Sequence, residues 1–414
     1  MPTLRPRRGA HQATTAHLRA VMPFQAASGL GGRGVYLGRD TSGAAFCFDP
    51  FDLYDRGVLT GPAMVVLGEI GRGKSALVKS YLYRQCGVFG RQAIVLSPKP
   101  GEYDRLAAAL GSIPVRLAPG AGLTLNPLAS ATGDVQAELR ALRGVAAAAL
   151  DRALAPAEEA ALAAALAAVR ELGVVPTIPR VVGCLFEPPT AAWQVRWPSV
   201  SDWLAESREV ALALDRFLTG DARGMFDGET SAGIDLAAPA VVVDLSAVAE
   251  SAAIAILMTA AMGFIQTQAA SGDGRKRILV VDEAWRVLAN LAAAEALVDT
   301  VKHSRAYGIQ TITVTHRIGD LAAAGDVGTR ISRIAEGLLS DAETKVVFAQ
   351  ADDQVALARE RLGLTSTEAD FLPYLGRGEA LWRVGTRSFL VLHRLTERER
   401  WICDTDQRMR NSVP

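Results

Sequence analysis

Residues 68–75 read GEIGRGKS and match the pattern G-x-x-x-x-G-K-[ST]. A loop of this kind works in one setting. It must leave a buried strand and enter the first turn of a helix, where free backbone N–H groups and the positive end of the helix dipole meet an anion. The flanks supply that setting. Residues 63–67, AMVVL, are a short apolar run suited to a strand covered on both faces, and residues 75–86 read as the following helix. Residues 91–96 give a second apolar strand, and this alternation marks a parallel α/β sheet. Within the loop, Gly68, Gly71 and Gly73 let the backbone wrap a phosphate, Lys74 reaches the outer phosphates of ATP, and the Ser75 hydroxyl holds Mg2+. Glu69, Ile70, Arg72 and Ala76 complete the candidate nucleotide-binding set. The chain has only six lysines in 414 residues, so a lysine at the position that needs a slender point charge is informative.

A matching half lies far downstream, in RKRILVVDEAW. The aliphatic run at 278–281 ends in Asp282 and Glu283. A carboxylate at the tip of a buried strand can reach a Mg2+ shell beside Ser75, which assigns Asp282 as a metal ligand. Glu283 is then placed to polarise a water as general base. Two solvated acids at a strand end are the plain alternative, which the loop at 68–75 disfavours.

Between and around these halves the pattern changes. Residues 1–60 read as a tail followed by a small β element, and 61–132 as the first part of a nucleotide-binding core. Residues 133–220 are rich in Ala and Leu with Glu and Arg interspersed, the composition of an all-α insertion, divided by a proline-rich break at 176–198. Its loss should spare the sheet. Strands resume at 240–244, 277–282 and 310–315 in the second part of the core, 221–395. There 379–384 and 388–393 are predicted to pair as a hairpin. Residues 396–414 read as a C-terminal tail.

Composition sets outer limits. Formal net charge is zero, which argues against strong non-specific binding to nucleic acid. The four cysteines form no C-x-x-C pair, which fits a reducing cytoplasm, and no H-E-x-x-H points to a zinc hydrolase. No apolar run of signal-peptide length or of about eighteen residues occurs, so no membrane-spanning helix is expected, and 252–270 reads as a buried core helix.

Taken in order, GEIGRGKS, IVLSPKPGEYDRLAAALG, TLNPL, FDG, VDEAW and SRAYGIQTITVTH resemble the motifs of the HerA–FtsK superfamily over roughly residues 60–395. Within it the chain looks most like the motor domain of conjugative type IV secretion ATPases of the TraC/VirB kind. The resemblance implies a RecA-like P-loop NTPase core, a mainly parallel sheet flanked by helices, with the all-α insertion added. It matches Lys74 and Ser75 to the Walker A residues and Asp282 and Glu283 to the Walker B pair. Arg305 matches an arginine that, in the family, reaches the nucleotide of the neighbouring subunit; a solvated helix-end arginine is the other reading. His316 stands where the family usually has Gln, and reads either as a hydrogen-bond donor toward phosphate or water or as a loop residue. Ser97 stands where the family often has Asp, and Glu102 reads as capping or solvating its turn. Implied partners are further copies of the chain, as a dimer or hexamer, and membrane secretion-channel proteins that would hold a cytoplasmic motor at the inner face of the cell membrane. A hexameric DNA translocase of the same superfamily, with DNA as a direct partner, is the alternative. A nucleotide-bound assembly scaffold with little turnover is a third reading, which the intact Asp282 and Glu283 disfavour.

Overall fold

The computed structural model describes residues 29–129, 133–220, 222–251, 254–269, 274–316, 319 and 330–405. The strands in chain order are β1 (Val35–Asp40), β2 (Ala45–Phe48), β3 (Met64–Leu67), β4 (Gln92–Ser97), β5 (Val115–Arg116) and β6 (Ala240–Asp244), then β7 (Arg277–Val281), β8 (Ile309–Val314), β9 (Thr344–Val347), β10 (Glu379–Val384) and β11 (Arg387–His393). They form one 11-stranded sheet in the order β2-β1-β11-β10-β9-β3-β8-β7-β4-β6-β5. From β9 through β5 every pairing is parallel. From β9 through β2 every pairing is antiparallel. The parallel sheet and flanking helices are those expected from the alternation of apolar strands and helical segments.

Strands β3, β4, β6 and β7 are buried along their whole length because both faces are covered, so their sequences are largely aliphatic runs without polar alternation. Successive side chains still part to opposite faces. Val65, Leu67, Leu279 and Val281 enter one hydrophobic core. Met64, Val66, Ile278 and Val280 enter the other. The helix α1 (Pro50–Asp55) follows β2, and α2 (Lys74–Phe89) and α3 (Asp104–Ala109) pack on the second face.

Between β5 and β6 the described chain contributes helices only: α4 (Val135–Leu150), α5 (Pro156–Glu171), α6 (Ile178–Phe186), α7 (Thr190–Trp193) and α8 (Val200–Thr219). Local signals start them. The Asp134 carboxylate accepts from the N–H groups of Gln136 and Ala137, Pro156 opens α5, and Ser199 caps α8. After β6 come α9 (Ile254–Ala269), α10 (Trp285–Leu288) and α11 (Leu291–His303), then α12 (Arg330–Asp341), α13 (Val355–Leu362), α14 (Ser366–Phe371) and α15 (Glu397–Cys403). Helix α4 lies so close on α9 that a Cβ built on Gly263 would stand 3.1 Å from the Cβ of Ala141. Leu142 and Val145 of α4 share one core with Leu257 of α9 and Leu279 of β7. Among the described residues the insertion therefore adds no strand, yet it is continuous with the core and covers α9.

Two features differ from the sequence expectation. The β element at the N-terminal end is no separate unit: β1 pairs with β11 and extends the main sheet, with Phe46 and Phe48 packed against Trp382. The segment read as a tail begins with α15, whose N-terminus is closed by a Thr396–Glu399 capping box. Glu399 also binds Arg84 of α2 at 2.6 Å, which ties α15 to the body.

Candidate active site

Strands β3, β8 and β7 are neighbours and parallel, so their C-terminal ends open on one crevice, the usual ligand position in such a sheet. Residues 68–75 leave β3, Asp282 and Glu283 leave β7, and His316 leaves β8.

The loop's shape depends on its glycines. Gly73 takes φ 114° as the residue that opens α2, and Gly68 takes φ 153°. A Cβ on Gly68 would overlap the Cβ of Phe348 and stand 3.2 Å from its Cα. The loop is held from three sides: Gly68 N–H donates to the His316 carbonyl at 3.0 Å, Glu69 N–H to Ala349 at 3.1 Å, and Gly378 N–H to Arg72 at 2.9 Å. Glu69 and Arg72 pair at 2.7 Å, while Ile70 at the tip is exposed. Lys74 is buried, and its ammonium donates to the carbonyls of Gly68 and, at 2.9 Å, Glu69. Because the obstacle to a side chain at Gly68 is backbone as well as side chain, Gly68→Ala is expected to lower stability by about 2–3 kcal/mol and to weaken nucleotide binding. Urea unfolding and equilibrium nucleotide binding check this. An unchanged midpoint would show that the loop rearranges freely.

Opposite the loop, Asp282 is 1% exposed, and one carboxylate oxygen accepts from the Glu283 N–H at 3.1 Å. The other, Oδ2, accepts no hydrogen bond and lies 3.5 Å from the Lys99 ammonium. Burial pushes the Asp282 carboxyl up, with Lys99 opposing. Glu283 takes φ 53°, a left-handed conformation that a non-glycine residue keeps only when its surroundings impose it. The Trp285 indole donates to Oε2 at 2.6 Å, His316 Nε2 lies 2.7 Å from Oε1, and Lys99 lies 2.6 Å from Oε1. Burial alone would raise the Glu283 carboxyl, but the contacts with His316 and Lys99 outweigh it and hold it at about 2. The same contacts favour the charged form of the Glu283 carboxylate. Burial likewise disfavours the Lys99 ammonium, and Asp282 and Glu283 outweigh that to raise it.

The residues fit a bound Mg2+. Asp282 offers a buried carboxylate oxygen with no hydrogen bond at the end of β7, and Ser75 lies in the first turn of α2, which follows β3. The described residues contain no cluster of three or more His, Cys, Asp or Glu suited to a metal. Mg2+ at a nucleotide needs none, since it keeps waters and takes phosphate oxygens beside one or two protein oxygens.

The structure brings together residues 68–76, Asp282, Glu283 and His316, but not Arg305. That side chain is exposed ahead of β8, donating to the Thr60 carbonyl at 3.3 Å, at the opposite end of the parallel strands. Glu102 does not merely cap or solvate its turn. It pairs at 2.7 Å with the fully buried Lys79 of α2. Lys99, Trp285, Phe348 and Gly378 join the site beyond the residues expected from the sequence. Lys99 carried a usable signal as one of six lysines, within SPKPGEY. Phe348 and Gly378 carried none, since they reach the loop only through sheet pairing.

No protein-family model matches the chain, and no curated protein matches it. Among solved structures, VirB4 of Thermoanaerobacter pseudethanolicus superposes with a TM-score of 0.70 at 22% identity, over 90% of this chain and 100% of that one. The bacterial conjugative coupling protein TrwBΔN70 gives 0.57 at 15% identity, over 96% and 95%. TrwB in complex with ADP and Mg2+ gives 0.54 at 14% identity, over 96% of each chain. With its cradle after β3 and its acid pair after β7, the chain has the RecA-like P-loop NTPase fold of VirB4 and TrwB.

Proposed function

We propose that the chain is a Mg2+-dependent ATPase motor that powers a conjugative transfer or type IV secretion machine. The observation that carries this reading is the meeting of the glycine cradle, Lys74, Asp282 and Glu283 at one end of β3, β8 and β7, in a fold shared with VirB4 and TrwB. The TrwB complex with ADP and Mg2+ supports the same ligands for this chain.

In this reading the N–H groups at the start of α2 receive the phosphates, and Lys74 exchanges its carbonyl partners for phosphate oxygens. Ser75 and Asp282 would hold Mg2+, which, when bound, offsets phosphate charge. Glu283, fixed by Trp285 and by its own backbone, orients the attacking water, and His316 buttresses that carboxylate. Arg305 serves a neighbouring copy in a dimer or hexamer. Secretion-channel proteins hold the motor at the inner face of the membrane; no helix among the described residues is long and apolar enough to cross one.

A DNA translocase is the second reading, favoured by the likeness to a coupling protein over 96% of this chain. Phosphate release by purified protein, titrated in protein concentration with and without DNA, tests both. Mg2+-dependent turnover lost in Lys74→Ala is expected, with specific activity rising as protein assembles. Stimulation by DNA that collapses with added salt would select the translocase. Nucleotide binding without turnover under every condition would leave the scaffold reading and defeat the motor.

A further inference from the structure

We infer that Lys99 is the resident counter-ion of the Asp282–Glu283 pair, competing with a divalent cation for these carboxylates and leaving them when the cation binds. The inference rests on the reading of this crevice as a metal–nucleotide site. It comes from the placement of three charges. Asp282 is 1% exposed, and its Oδ2 accepts no hydrogen bond. Lys99 is the cation paired with it among the described residues, at 3.5 Å, and the same ammonium sits 2.6 Å from Glu283 Oε1. Two adjacent carboxylates in a water-poor crevice need positive charge whether or not metal is present.

Lys99 differs from a structural ion-pair lysine. The Lys79 side chain is 0% exposed where it meets Glu102, whereas that of Lys99 is 32% exposed and retains a path to solvent. Its backbone lies in the turn after β4, where its N–H donates to the Ser97 hydroxyl at 3.2 Å and Gly101 follows at φ 66°. A lysine ammonium on a flexible stem is also a compact charge that changes partners easily, unlike a guanidinium fork. A divalent ion is the larger local charge, and its presence beside the same oxygens disfavours a second cation there. The exchange favours metal that arrives with a nucleotide, because phosphate oxygens then give the displaced ammonium a new partner.

The test uses the full chain and Mn2+ followed by electron paramagnetic resonance, without nucleotide. Lys99→Met should bind Mn2+ about tenfold more tightly than wild type, and Lys99→Arg should bind it no more tightly than wild type. Without metal, Lys99→Met should melt at a lower temperature, and Mn2+ should raise its melting point more than that of wild type. A measurement on wild-type protein guards against misfolded variants. Acetylation of Lys99, read by peptide mass spectrometry, should quicken severalfold on adding Mn2+, while that of Lys276 stays constant. Unchanged or weaker Mn2+ binding in folded Lys99→Met, or acetylation of Lys99 indifferent to bound Mn2+, overturns the counter-ion role. If wild type still hydrolyses ATP, the motor reading survives that result. If wild type binds neither Mn2+ nor ATP, both inferences fall.

Discussion

Replacing Glu283 with Gln is expected to lower ATP turnover by about two to four orders of magnitude while leaving ATP bound. The amide keeps the shape of the side chain and can still accept from the Trp285 indole, but it can neither carry the charge that polarises a water nor take its proton. The cradle at 68–75 and Asp282 are untouched, so affinity should survive. Filter binding of labelled ATP against phosphate release separates the two effects. Acid unfolding gives a check on the fold with a definite sign. A carboxyl lowered from 4.5 to about 2 on folding adds stability that is fully present above pH 4.5 and lost as pH falls toward 2. Glu283→Gln should lose that part of the acid dependence. Normal turnover in the folded variant would remove Glu283 as the base.

Arg305→Ala should lower the activity of assembled protein by about three orders of magnitude or more, the scale of a transition-state arginine supplied by a neighbour. The structure sets Arg305 beyond the reach of its own cradle. It precedes β8, whereas the cradle lies at the end that follows it, about one strand length or roughly 20 Å away. An arginine so placed acts on nucleotide only across an interface. Mixing Glu283→Gln with Arg305→Ala, each inactive alone, should restore part of the activity, because some interfaces then join an intact Glu283 to an intact Arg305. A mixture that stays inactive although hetero-assembly is confirmed would return Arg305 to a solvated arginine. So would an Arg305→Ala protein of normal activity.

The parts of the fold that were legible are those whose signals are local. The run at 63–67, the glycines after it and the helix beyond sit in one short window, and β7 ends in Asp282 and Glu283 within another. Ala- and Leu-rich composition was enough to place helices between β5 and β6. What escaped was pairing across the length of the chain. Nothing near Val35 announces that β1 will meet β11, and nothing near Phe348 or Gly378 announces that they will brace the loop. The helix α15 was missed for a different reason: its Thr396–Glu399 cap was visible, but its seven residues carry too little apolar surface to stand out from a tail. Two partners of Glu283 meet it only through sheet pairing, since Lys99 arrives from β4 and His316 from β8, whereas Trp285 lies two residues away.

The parallel order of β7 and β8 has a mechanical consequence. A chain that leaves the sheet beside Glu283 must travel back along its whole height before it can enter β8, and α11 makes most of that return, 13 residues or roughly 20 Å of continuous helix. Helix α11 therefore spans most of the way from the acid pair to Arg305, with α10 and Asn290 between Glu283 and its start. Helix α11 has α4 and α9 along its flank and α12 beside it, so it has little freedom to bend. A displacement of the acid pair would reach Arg305 along the chain only through α10, the turn at Asn290 and α11. The insertion reaches that connection through α4, which packs on α11.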